Sequence, residues 1–76
     1  MSSIEIDRSS LQRVFEAAGS QAELARRLRI SQQSVNRWAR KGRVPLDRLP
    51  QIERAVGGAV TRVDLAPDLF EGLRVA

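Results

Sequence analysis

The sequence predicts an all-α domain of five short helices, and three observations carry that prediction. Apolar residues recur at three- and four-residue spacing in successive segments, the period of a helix with one buried stripe. Residues that start and stop helices stand at the ends of those segments. The alternation that marks a half-buried strand is confined to Ile4-Glu5-Ile6. Two readings are open for that stretch, a frayed arm or one edge pairing.

Length and composition set the outer bounds. The chain of 76 residues is expected to form one domain, 1–76, around one small core. A deep catalytic pocket is not expected. Cysteine and histidine are absent, which removes disulfides, thiolate and imidazole metal sites, Cys and His nucleophiles and the usual neutral-pH proton shuttle. The expectation is a protein that is not an enzyme and needs no cofactor or metal. The start, MSSIEIDRSS, is polar and acidic where a signal peptide needs an apolar run, and no segment approaches the roughly 20 apolar residues of a membrane span. A cytoplasmic location is expected, with no membrane partner.

Charge is unevenly placed. The net charge is +4, yet seven basic residues (Arg26, Arg27, Arg29, Arg37, Arg40, Lys41 and Arg43) and no acidic one lie between Leu24 and Leu46. The remaining six basic and nine acidic residues leave the rest of the chain at −3. Concentrated charge of one sign attracts a polyanion, whereas mixed charge mainly confers solubility.

Taken in order, the first helix opens after Ser9, which forms a capping-box pattern with Gln12. Leu11, Val14, Phe15 and Ala18 form its apolar stripe, and Gly19 is placed to end it. Ser20 with Glu23 is a second capping box, opening a helix to Leu28 with Leu24, Ala25 and Leu28 inward. A small residue such as Ala25 lets two helices cross closely, as a helix-turn-helix unit spanning 20–41 requires. Ile30 is expected to bury from the turn, and Ser31 to cap the next helix.

That third helix, Gln32 to Arg40, sorts into two faces at 100° per residue. Val35, Trp38 and Ala39 lie on one side; Gln33, Asn36, Arg37 and Arg40 lie opposite, with Gln32 on the flank. Amide and guanidinium groups are what reading base edges requires, since Gln and Asn bond adenine and Arg bonds guanine bidentately. The competing reading is a plain solvent face, but such faces are usually richer in Glu and Lys. Trp38 could stack on a base, but its spacing with Val35 puts it on the core side. Ser31 and Ser34 at the helix start, and Arg40, Lys41 and Arg43 in the loop beyond it, are candidate phosphate contacts, which position without reading sequence.

The segment from Val44-Pro45 is expected to start a fourth helix, with Leu46, Leu49, Ile52 and Val56 inward and Gly57-Gly58 as its stop. Pro50 could split a short 3₁₀ piece (45–49) from the main helix (50–56). Thr61 and Asp64 form a further capping box, with Val63 and Leu65 inward. Pro67-Asp68 can begin one more turn carrying Leu69, Phe70 and Leu73, which either pack on the core or form a patch for a second subunit. Residues 72–76 are expected to be loose.

Gln21-Ala22-Glu23-Leu24-Ala25, then Ile30-Ser31-Gln32-Gln33-Ser34-Val35, then Trp38, resembles the helix-turn-helix of lambdoid phage repressors and Cro proteins. The longer run, with Gly42-Arg43-Val44-Pro45, Gly57-Gly58-Ala59-Val60-Thr61 and Ala66-Pro67-Asp68-Leu69-Phe70, resembles the Cro-like and YdaS-type repressor or antitoxin families of phages and prophages. The resemblance implies a lambda-repressor-like fold in which Gln32, Gln33 and Arg37 reach base edges and Gln21 bonds a phosphate. Arg29 departs from it, standing where glycine usually supplies a left-handed turn residue, at a cost of about 1 kcal/mol. Its charge is a further candidate for a phosphate. Cro-type relatives have either a helical or a hairpin C-terminal half, and the 3.6-residue period here selects the helical one.

The function so implied is a sequence-specific repressor that binds double-stranded operator DNA, an inverted repeat, as a homodimer. The alternative is an antitoxin or protein-interaction module using Val63, Leu65, Phe70 and Leu73 to hold a partner protein.

Overall fold

The computed structural model describes residues 3–70, and of Leu69 and Phe70 only the backbone. The roles expected of the Leu69, Phe70 and Leu73 side chains and of residues 72–76 lie outside the described residues. The elements run β1 (Ser3–Glu5), α1 (Arg8–Ala18), α2 (Gln21–Leu28), α3 (Gln32–Lys41), β2 (Arg43–Pro45), a 3₁₀ turn (Leu46–Arg48), α4 (Leu49–Ala55), α5 (Arg62–Leu65) and a last turn, α6 (Pro67–Phe70). The architecture is the all-α, five-helix helix-turn-helix class that the periodicity predicts, with the expected last turn at Pro67 and a two-stranded ribbon added.

Helix α1 buries Leu11, Val14, Phe15 and Ala18, the stripe read from its spacing. Its cap differs from expectation. Asp7, not Ser9, occupies the N-cap, and its Oδ2 accepts from the hydroxyls of Ser10 at 2.8 Å and Ser9 at 3.0 Å. The reason is tertiary: the Asp7 N–H donates to Leu65 O at 2.8 Å and the Ile6 N–H to Gly42 O at 3.0 Å, which holds both residues extended and starts the helix at Arg8.

The Ile4 stretch is an edge pairing. β1 runs antiparallel to β2 with Ile4 opposite Val44 and Glu5 opposite Arg43. This corrects the expected helix start at Val44-Pro45. A residue before proline is disfavoured in the helical region, so Val44 stays extended and fully buried against the core. The helical period resumes only through the 3₁₀ turn, and Pro50 sits in the first turn of α4, where its missing N–H costs no bond. The expected split of a short 3₁₀ piece from the main helix is present, one residue earlier than expected, between Arg48 and Leu49.

Leu46 is a second correction, exposed at 41% where the spacing put it inward. It lies on the tighter 3₁₀ turn, which has three residues per turn and shifts it out of register with Leu49 and Ile52. Those two and Val56 are buried. Thr61 and Asp64 form the reciprocal capping box: Asp64 N–H donates to Thr61 Oγ1 at 3.1 Å and Thr61 N–H to Asp64 Oδ2 at 3.0 Å. Leu65 is fully buried and Val63 only partly so. Helix α2 packs on α1, α3 and α4, and α4 on α5, so α2 links the core to α3. No helix among the described residues is long and apolar enough to cross a membrane.

Candidate nucleic-acid interface

The site is built from the entry into α2. Ser20 Oγ accepts the Glu23 N–H at 3.0 Å, one half of the expected box. The other half is not made, because Arg26 Nη2 takes the Glu23 carboxylate at 2.7 and 2.8 Å. The hydrogen bond from Arg26 holds the Glu23 carboxyl below the usual glutamate range and raises the guanidinium in return. Arg27 Nη1 donates to Ala55 O at 2.8 Å, tying α2 to the end of α4.

Between α2 and α3 the backbone turns left-handed at Arg29, with φ 59° and ψ 43°. It is the one non-glycine residue with positive φ among the described residues. Ile30 N–H donates to Ala25 O at 3.0 Å and Arg29 N–H to Arg26 O at 3.2 Å, so the last carbonyls of α2 are satisfied through the reversal. Ser31 then caps α3: its Oγ accepts the Ser34 N–H at 3.2 Å and lies 3.0 Å from Ser34 Oγ.

Helix α3 has the two faces its sequence implies. Val35 is fully buried and Trp38 is 7% exposed. Leu24 and Ala25 are buried beneath them, with Leu28, Ile30 and Ala39 packed at the core edge. On the outer side Gln32, Gln33, Asn36, Arg37 and Arg40 border one open hollow of about 580 Å³. Asn36 Nδ2 also donates to Gln21 Oε1 at 3.4 Å, which brings the start of α2 to the edge of this face. The ion pairs among the described residues involve Arg26, Arg27 and Arg62, so Arg37, Arg40 and Lys41 carry uncompensated charge there.

The far end of α3 is held from behind. Gly42 closes it with φ 67°, its N–H donating to Trp38 O at 2.8 Å. Arg8 Nη1 and Nη2 donate to Ala39 O and Arg40 O, each at 3.3 Å. Gly42 is favoured by its left-handed conformation, and a Cβ there, 2.9 Å from Arg8 Nε, would push the guanidinium aside. The expected basic loop is a correction: Arg40 and Lys41 are the last residues of α3, which runs one residue longer than expected, and Arg43 opens β2. Its Nη2 donates to Ser3 O at 2.8 Å and its Nε to Ser3 Oγ at 3.3 Å, across the strand pair.

Sequence reasoning missed Arg8 and Arg27 as carbonyl caps, because their acceptors lie about thirty residues away. The signal available was Arg8 itself, a cation at the start of a helix, where the dipole disfavours it. No group of three or more acidic, His or Cys side chains is placed to hold a metal ion among the described residues.

Two helices joined through a left-handed turn, the second exposing amides and guanidiniums over a buried Val35 and Trp38, define a helix-turn-helix domain. A family model described as "Bacterial toxin YdaS" matches residues 11–73. The chain belongs to the YdaS family. It is 39% identical over 61 residues to the Escherichia coli (strain K12) protein named "Putative transcriptional regulator YdaS", a match covering 79% of this chain and 62% of that protein. The chain thus spans less than two thirds of that relative's length. No solved structure matches it significantly.

Proposed function

We propose that this is a sequence-specific DNA-binding domain of a transcriptional repressor, reading operator DNA through α3 in the major groove. The observation that carries the proposal is the outer face of α3. Five amide and guanidinium side chains share one open hollow there, with no carboxylate among them. The regulator name of the Escherichia coli relative supports the same reading. Gln32, Gln33, Asn36 and Arg37 read base edges. Gln21, Arg29, Ser31, Ser34, Arg40, Lys41 and Arg43 meet phosphates, Arg43 after releasing Ser3.

One recognition helix covers about 4 to 5 base pairs, too few for useful specificity, so the domain acts as a homodimer on two half-sites one helical turn apart. Repression follows when the operator overlaps a promoter, and a cytoplasmic location goes with it.

The rival reading, a partner-binding surface on the C-terminal segment of a toxin–antitoxin regulator, draws on the toxin wording of the family description. It is weakened at Leu65, which is fully buried in the core. A binding selection against random duplex DNA separates the two. Enrichment of an inverted repeat with half-site centres about 10 base pairs apart is the result expected of the repressor. Recovery of no preferred sequence sinks it.

A further inference from the structure

We propose that Arg8 is a positioning residue for the recognition helix, setting the C-terminal end of α3 against the N-terminal segment so that its reading face meets DNA in one orientation. The inference rests on the DNA-reading function proposed above, and it begins with an accounting of carbonyls. The last four carbonyls of a helix have no partner within it. In α3 these belong to Trp38, Ala39, Arg40 and Lys41. Gly42 N–H takes the first, and the planar fork of Arg8 takes the next two together. Gly42 O, one residue beyond, accepts the Ile6 N–H at 3.0 Å. The end of α3 is thus fastened by side chain and backbone from residues 6–8, more than thirty positions earlier.

The placement of Arg8 agrees with a role outside its own helix. It is the first residue of α1, where a cation opposes the helix dipole, yet it lies at the C-terminus of α3, where a cation is favoured. The absence of a side chain at Gly42 leaves the room it occupies, since a Cβ there would come within 3.1 Å of three guanidinium atoms. A lysine offers one point charge on a flexible stem and lacks the rigid fork that spans two adjacent carbonyls. Arg40 and Lys41, whose backbone Arg8 steadies, point their own charges outward. Arg8 therefore governs where the phosphate-gripping cations and the base-reading face stand, while its own guanidinium is committed to carbonyls.

The test compares wild type, Arg8→Ala and Arg40→Ala on the DNA recovered by selection and on random duplex, across a series of salt concentrations. Arg8→Ala is expected to lose about tenfold in affinity for the selected site and less than about twofold for random DNA, with the salt slope unchanged. Amide exchange at Lys41 and Gly42 in the free protein should quicken, as a loosened helix end requires. Equal loss on both DNAs with a slope lower by about one would make Arg8 a phosphate ligand and overturn the proposal, as would an unchanged preference. If Arg8→Ala does not fold, Arg8→Lys replaces it, with a smaller loss of preference at the same slope expected and no loss counting against the proposal. Arg40→Ala, which removes a phosphate contact, is expected to weaken both DNAs alike with a slope lower by about one. A wild type that does not prefer selected over random DNA would sink the function itself, whereas wild-type preference retained in the Arg8 variant sinks Arg8 alone.

Discussion

Gln33 and Lys41 stand within one helix, and the proposed function gives them different tasks that substitution would separate. Gln33 lies on the outer face of α3 with an amide free to pair with a base edge, so Gln33→Ala should cost about 1–3 kcal/mol on the preferred site and little on random DNA. Equal losses on both in a competition assay would remove it from the reading set. Lys41→Ala should instead weaken all DNA alike and lower the salt slope by about one. Arg29 carries a different kind of consequence. Its φ of 59° places a side chain in a backbone region that costs about 1–2 kcal/mol, and glycine would relieve that while adding entropy to the unfolded chain. The net for Arg29→Gly is a gain of about 0.5 kcal/mol and a thermal midpoint higher by a few degrees. A lower midpoint would show that the side chain contributes contacts beside Leu28 and Arg54 that outweigh the strain. The left-handed requirement was legible from the resemblance alone, and the backbone meets it.

At the scale of elements, the helices followed from sequence where their signals were local. Ser31 is a cap because its hydroxyl reaches an N–H three residues on, and Ser31→Ala should cost about 1 kcal/mol, read by denaturant unfolding. No change would mean that water replaces the hydroxyl at the start of α3. The ribbon was not legible to the same degree. Its two strands are three residues each and about forty positions apart, too short for alternation to declare itself. Val44 before Pro45 is already biased to the extended form, but Val44-Pro45 also reads as a helix start, and pairing with Ile4 fixes the strand. Leu46 was misplaced for the same reason, since its direction depends on how the chain leaves β2. Ser9 was read as the cap, and the bond from Asp7 N–H to Leu65 O is what puts the N-cap at Asp7 instead.

For the whole molecule, acid is the condition that removes the carboxylate bonds at the starts of α1 and α2. Asp7 is lowered by hydrogen bonds from Ser10 and Ser9, and Glu23 by its bond from Arg26. A carboxylate whose folded value lies below its unfolded one binds fewer protons when folded, so its stabilisation is fully present above the ordinary range. It is lost as pH falls through the folded value. The thermal midpoint should therefore hold from neutrality down to about pH 4 and decline below it. Asp7→Asn should flatten that decline; an unaltered acid limb would show that Asp7 does not contribute to it. The sequence by itself determined the helix periods, the cap at Ser31, the buried Val35 and Trp38, and the polar, carboxylate-free face of α3. Each of these depends on residues within about one or two helical turns, where spacing fixes geometry. Only the tertiary structure decided that residues 3–5 pair with β2, that Ile6 and Arg8 fasten the end of α3, that Arg43 is shared with Ser3, and that Leu46 faces outward. Those outcomes depend on contacts across thirty to forty residues, where many partners are sterically possible and the packed core selects one.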